Sequence, residues 1–315
     1  MQAEQFFSNK RNVRRTKKIA HLLDSQEAVA FFPAGIIVDT PSSQSNLLAF
    51  PLSNGQWLQI SQDHLTNRER YLLSVFSDDE EVYISHPWYQ FLVKGIGPMP
   101  QQLSPMQWIH VHHSVSALEE KEELQAWLEV MRSLLPNRVA DFQLTAHDIV
   151  FVLVQNTFIP IQEVLADTLS AMEFDFGLKL TILVGQMWSH VTDGDWAKLF
   201  RAEHELFIAW QQRFQSSRVI SFGQVFLWGQ GQEISLRPLR NQLAQMISQQ
   251  DQLADSILVL WEEAAVVTKA AQRLYVHRNT LQYRLEKWLD ISGLQLRNLT
   301  DLAVCYQVVL EDSNS

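Results

Sequence analysis

Cysteine is almost absent from this 315-residue chain, in which Cys305 stands alone. A single thiol excludes an intrachain disulfide and a four-cysteine zinc site; at its position it is expected to be a buried small residue on the apolar side of a helix. Long apolar runs are missing as well. The richest, AVAFFPAGIIV at 28–38, is broken by Pro33 and Gly35 and falls short of the roughly 18 to 20 residues a membrane span needs. The N-terminus has no apolar secretory core, so a cytoplasmic location without a membrane partner is expected. Three catalytic signatures are also lacking: a GxxxxGK(S/T) phosphate loop, a GxSxG elbow and an HExxH helix. His110 and His112 share one face of a strand by alternation, with His113 on the other, but no third ligand lies nearby and no metal is assigned. No cofactor and no enzymatic activity are expected.

What is present is a globular composition, 46% hydrophobic and 19% charged, with length for two or three domains. The ten tryptophans are scattered without a repeat and are read as packing residues. The most informative stretch is TKAAQRLYVHRNTLQYRLEKWLD at 268–290, which reads as two helices joined by a tight turn. Thr268 is the expected N-cap of a first helix at about 269–275, and His277 that of a second. Ala270 and Ala271 allow a close crossing, and Leu274, Val276, Leu281 and Leu285 supply an apolar seam. With Leu281 facing inward, Leu285 and Trp288 follow it. Asn279, Gln282, Tyr283 and Glu286 point away, and Arg278 and Thr280 flank the exposed first turn. Such side chains suit duplex DNA: Arg bonds guanine bidentately, Asn and Gln bond adenine, and Thr and Tyr reach phosphates. Between 268 and 298, Lys269, Arg273, Arg278, Arg284, Lys287 and Arg297 face only Glu286 and Asp290, six positive charges against two negative, on a chain of net charge −10. A basic island on an acidic protein is the footprint of a phosphate-binding face.

The segment from about Leu253 to Leu310 resembles the C-terminal helix-turn-helix domain of PucR/CdaR transcriptional regulators, on KAAQRLYVHRNTLQYRLEK followed by ISGLQL. VHRNTLQYRL is the most diagnostic run, and a looser similarity reaches the DNA-binding hairpin of Fis. The resemblance implies a scaffold helix at about 252–263, the hairpin, and a closing helix near 300–311. It also implies base or phosphate contacts from Arg278, Asn279, Thr280 and Gln282. The sequence departs from the pattern in placing Tyr275 where many such turns have glycine, and Val266 where a polar residue is usual. The full set expected at DNA is Lys269, His277, Arg278, Asn279, Thr280, Gln282, Tyr283, Arg284 and Lys287.

Ahead of the hairpin, KRNVRRTKK at 10–18 carries six basic residues. With Ile19, Leu22 and Leu23 following at helical spacing, it reads as an exposed amphipathic helix, with an auxiliary DNA contact as the alternative. Strand-like segments (AFFPAGIIVDT, LLAFPLS, QWLQIS) and a helix opening at Thr66, with Glu69 at capping-box spacing, suggest a small α/β module. HPWYQFLVKGIGPMP, with three prolines and two glycines, reads as a domain junction. From 106 the order is β-α-β-β-α-β plus a further helix, which suits a ferredoxin-like sheet. PucR/CdaR-type regulators often carry a degenerate GGDEF-like domain there. A cyclase would need a glycine-rich acidic hairpin, but the turn between RVADFQL and DIVFVLV reads only LTAHD. Asp193 and Asp195 read as the N-terminal capping region of a helix.

The expected chain is thus α+β and multidomain. It comprises a basic helix (1–27), an α/β module (28–105), a ferredoxin-like, degenerate GGDEF-like domain (106–235) and an all-α helix-turn-helix domain (236–315). Its expected partners are double-stranded DNA, a second copy of itself and a small-molecule effector of unknown identity, with α-helix 278–289 in the major groove. The alternative is a protein-interaction or ligand-sensing adaptor whose hairpin has lost its DNA role.

Overall fold

The short apolar runs Ile36–Val38 (β1) and Leu47–Pro51 (β2) flank Trp57–Ser61 (β3) in an antiparallel sheet of order β1-β3-β2. Leu58 and Ile60, two apart on β3, are both buried, as period-2 geometry requires. Gly35 lies under them: a Cβ there would stand 2.6 Å from Leu58 Cδ1. This sheet belongs to the first of two units, residues 1–77 and 78–315. The computed structural model describes residues 32–38, 47–51, 56–61, 86–100, 105–115 and 120–312. The basic segment at 10–18 and the helix expected from Thr66 lie outside the described residues.

In the second unit, the expected junction departs from loop. Pro87–Tyr89 is a helical turn continuing into a π-helical segment, Gln90–Lys94, which Gly95 ends at φ 68°. Trp88, Phe91 and Leu92 are buried in the same core as the helix at 196–214. Proline at the first helical position and glycine at the last are helix punctuation here, and the aromatic residues between them supply the burial that holds the segment.

The central sheet is built from Met106–Val115 (β4), Arg138–Gln143 (β5), Asp148–Val154 (β6), Leu178–Val184 (β7) and Arg218–Ser221 (β8). Its order is β5-β6-β4-β7-β8, with only β7 and β8 parallel. Helices Glu120–Leu134 (α1) and Ile161–Phe176 (α2) link the strands, and Trp196–Phe214 (α3) precedes β8. β6 is apolar almost throughout because both faces are covered: Ile149, Phe151 and Leu153 meet α1 and α2, while Val150 and Val152 lie in the core of α3. Before α3, Asp195 makes no capping hydrogen bond and pairs instead with Lys198 at 2.7 Å.

The three strand histidines divide as alternation predicts. His113 lies beside Trp127 of α1, and His110 lies among Phe200, His204 and Phe207 of α3. His112 bonds Asp148 at 2.8 Å. His110 Nε2 stands 3.2 Å from Oε1 of Glu203, and both side chains are fully buried. The other Glu203 oxygen accepts from Trp188 Nε1 at 2.9 Å and from the Gln186 amide at 3.2 Å. Burial pushes the Glu203 carboxyl up to about 8 and holds His110 down to about 3. At neutral pH the pair is therefore uncharged, with the carboxyl proton donated to His110, which avoids the cost of a buried ion pair.

Six helices complete the unit: Phe222–Gly229 (α4), Arg237–Ser248 (α5), Leu253–Glu262 (α6), Val267–Arg273 (α7), Arg278–Ser292 (α8) and Leu299–Asp312 (α9). Their apolar faces and the α3 face of the sheet form one continuous core. Strand β8 and helices α4 and α5 had no counterpart in the sequence reading.

Candidate nucleic-acid interface

Five short-range choices shape the hairpin. The scaffold helix α6 is closed by Ala264 and Ala265, both left-handed (φ 50° and 60°), with the Ala265 amide on the Leu260 carbonyl at 2.8 Å. That closure leaves only Val266 extended, so Val266 takes the N-cap position without a side-chain bond and α7 begins at Val267. The expected cap, Thr268, is instead exposed inside the first turn. After α7 the chain turns through Tyr275 at φ 55°, the left-handed geometry glycine adopts at no steric cost. The expected cap of α8 is present: His277 Nδ1 accepts from the Asn279 amide at 3.2 Å.

Packing then orients α8. Ala270 and Ala271 are buried at the crossing, and Leu281, Leu285 and Trp288 are buried along one face of α8. Each buried large side chain stabilises by about 1.5–3 kcal/mol, far more than the few tenths that separate helix propensities. Burial of this seam therefore decides which side chains face water. Those are His277, Arg278, Asn279, Thr280, Tyr283, Glu286, Lys287 and Asp290, with Lys269 exposed on α7. Gln282 is half-buried and donates to Glu286 at 2.9 Å.

Arg284 behaves differently. Its guanidinium turns onto α6, donating to Ser256 Oγ at 2.9 Å and Gln252 Oε1 at 2.5 Å. Arg273 likewise pairs with Glu262 and Glu263. Lys269, Arg278, Lys287 and Arg297 remain as the exposed cations of the segment.

The far end of α8 is fastened to the sheet, which no local pattern in the sequence signals. Gln186 Nε2 donates to the Ser292 carbonyl at 2.5 Å, the Phe158 amide donates to Asp290 at 3.3 Å, and Gly293, left-handed at φ 73°, lies against Met187. Among the described residues no group of three or more His, Cys, Asp or Glu could hold a metal ion, and no helix is long and apolar enough to cross a membrane.

Residues 253–309 match the PucR C-terminal helix-turn-helix domain. Over 276 residues the chain is 31% identical to a leucine-rich protein of Streptococcus dysgalactiae subsp. equisimilis, covering 83% of this chain and 94% of that one. The chain belongs to the PucR family. The PucR domain supports a DNA-binding, regulatory role, and as a regulatory module it is not catalytic. A further relative, the uncharacterized protein YxkF of Bacillus subtilis (strain 168), is 21% identical over 300 residues, covering 91% of this chain and 98% of that one. Among solved structures, a regulator of polyketide synthase expression from Bifidobacterium adolescentis is similar at a TM-score of 0.33 and 16% identity, over 68% of this chain and 82% of that one. The PucR domain here begins at Leu253, where α6 begins, and ends within α9.

Proposed function

We propose that the chain is a sequence-specific, effector-responsive transcriptional regulator that reads the major groove with the first turns of α8. The observation that carries this reading is the exposed run Arg278, Asn279, Thr280 and Tyr283, held outward by the buried Leu281–Leu285–Trp288 seam. Bidentate donors on a rigid helix face are what base edges require. Gln282, Lys269, His277 and Lys287 complete the contact set, the cations at phosphates. Arg284 supports the helix from behind, through α6. One such module covers few base pairs, so the reader acts as a homodimer on paired half-sites.

The central region, 106–235, is a ferredoxin-like domain of the degenerate GGDEF type. Its order β5-β6-β4-β7 is the antiparallel arrangement a split βαββαβ chain produces, with β8 added at one edge. The β5–β6 turn, Leu144–Asp148, has no glycine and is closed by Thr145 and Asp148 on each other at 2.6 Å, so this domain senses and does not catalyse. The β1–β3 sheet belongs to the accessory α/β module, and residues 236–315 supply the reader.

The test is fluorescence anisotropy on a duplex selected from random sequence by the purified protein. Arg278→Ala and Asn279→Ala should each weaken the selected duplex by about 1–3 kcal/mol while leaving non-specific duplex nearly unchanged. Full affinity for the selected site in both variants would remove α8 as the reader.

A further inference from the structure

A cleft of about 190 Å³ opens where the end of α8 meets the central sheet. Its walls are the Val184–Gln186 segment, the first turns of α2 and α4, and the stretch from Ser292 to the start of α9. Its charge is one-sided: two carboxylates, Glu163 and Asp301, line it, and no lysine, arginine or histidine does. Asp301 accepts the Gln295 amide at 2.9 Å and pairs with no cation among the described residues. Burial pushes this carboxyl up to about 6.

Helix termini agree with that sign. Three N-termini open on the cleft, which alone would suit an anion, yet two have their own side-chain acceptor and the third, without a side-chain cap, carries a carboxylate in its first turn. Ser221 and Gln224 close α4 with a capping box, Asn298 Oδ1 takes the Thr300 amide at 2.8 Å, and Glu163 occupies the first turn of α2. The carbonyl end of α8, at Ser292 and Gly293, faces the same space and favours positive charge. Gly223 lets α4 pack closely on the start of α9, since a Cβ there would stand 2.7 Å from Asp301 Oδ1. Phe158, Ile159 and Leu294 add apolar wall. A cavity of about 150 Å³ takes a benzene ring, which sets the size of the guest.

We propose that this cleft binds a small amphipathic cation, an ammonium or amidinium on a body about the size of a benzene ring, with its head on Asp301. An occupant would tie α2 and α4 to the end of α8 and so bias the reader. That regulatory role rests on the DNA-reading function above, but the binding does not.

Calorimetric titration of the full chain, without DNA, with benzamidine, benzamide and benzoate separates charge from shape. Benzamidine should bind about tenfold more tightly than benzamide, and benzoate should show no heat. Asp301→Asn should abolish the preference for benzamidine. Asn298→Asp keeps a good helix cap and adds a carboxylate at the rim, so it should tighten benzamidine about threefold. Benzoate binding as tightly as benzamidine would overturn the proposal. So would unchanged benzamidine affinity in Asp301→Asn or, should that variant not fold, in Asn298→Asp. Because DNA is absent from the titration, a negative result leaves the Arg278 and Asn279 test standing.

Discussion

Tyr275 is almost wholly exposed, at 97%, yet sits in the left-handed region. Such a conformation costs a side chain about 1 kcal/mol or more, and here no packing is gained in return. Tyr275→Gly should therefore raise stability by about 1 kcal/mol in urea unfolding; an unchanged or lower midpoint would show that the ring makes a compensating contact. The position was legible through the family resemblance, which sets Tyr275 where many such turns have glycine. Glu203 was not legible, since its partner His110 lies 93 positions away and only the sheet brings them together. Its raised carboxyl fixes a pH dependence. The folded state holds a proton on Glu203 up to about pH 8, while the unfolded chain releases it near 4.5. Stability therefore falls as pH rises through this window, by about 1.4 kcal/mol per unit where Glu203 acts alone. Below about 6.5 the opposite trend takes over. His110, His113 and His204 are held low, so acid favours the unfolded chain and outweighs the raised carboxyls of Glu203 and Asp301. Urea midpoints from pH 5 to 8.5 should peak near 6.5 to 7, and Glu203→Gln should flatten the alkaline side and, by removing a carboxyl that opposes the histidines, steepen the acid side. An alkaline limb identical to that of the parent would assign the titration elsewhere.

Arg278 and Arg284 are six residues apart on one helix and do different things. Arg278 is exposed at the first turn, whereas Arg284 crosses back to α6. Arg284→Met keeps the apolar stem and loses both hydrogen bonds. It should lower stability by roughly 1–2 kcal/mol and weaken selected and random duplexes by the same factor. A loss confined to the selected duplex would place Arg284 at a base edge. The local basic charge put both arginines in the set expected at DNA, because a charge count does not give the reach of a long side chain. The hairpin itself was legible in helix α8, its His277 cap and its buried seam, each a local signal. The start of α7 was not: Thr268 is the better capping residue, but the closure of α6 by Ala264 and Ala265 dictates where the next helix can begin. Strand β8 has four residues, too few for alternation to register. The π-helical segment at 90–94 was hidden by flanking proline and glycine that usually mark loops.

Residues 78–315 form one unit in which the reader shares its core with the sheet. Helix α5 packs on α3 as well as on α6 and α9, so a fragment of 236–315 would uncover its α3-facing side. It should melt well below the full chain, and in the intact protein amides of α8 and of β6 should exchange hydrogen at the same global opening free energy. Earlier exchange in α8 would mean the reader opens by itself. This continuity was invisible in the sequence, where charge and periodicity mark the hairpin off as separate; long-range contacts such as Gln186 with Ser292 leave no local trace. The lone cysteine gains a use from the same continuity. Cys305 is fully buried in α9 and its thiol is pushed up by burial, so thiolate chemistry is closed to it while the core is shut. A disulfide reagent added to the untreated wild-type chain thus becomes a stopwatch: colour can develop only as fast as this core opens, and each molecule reports once.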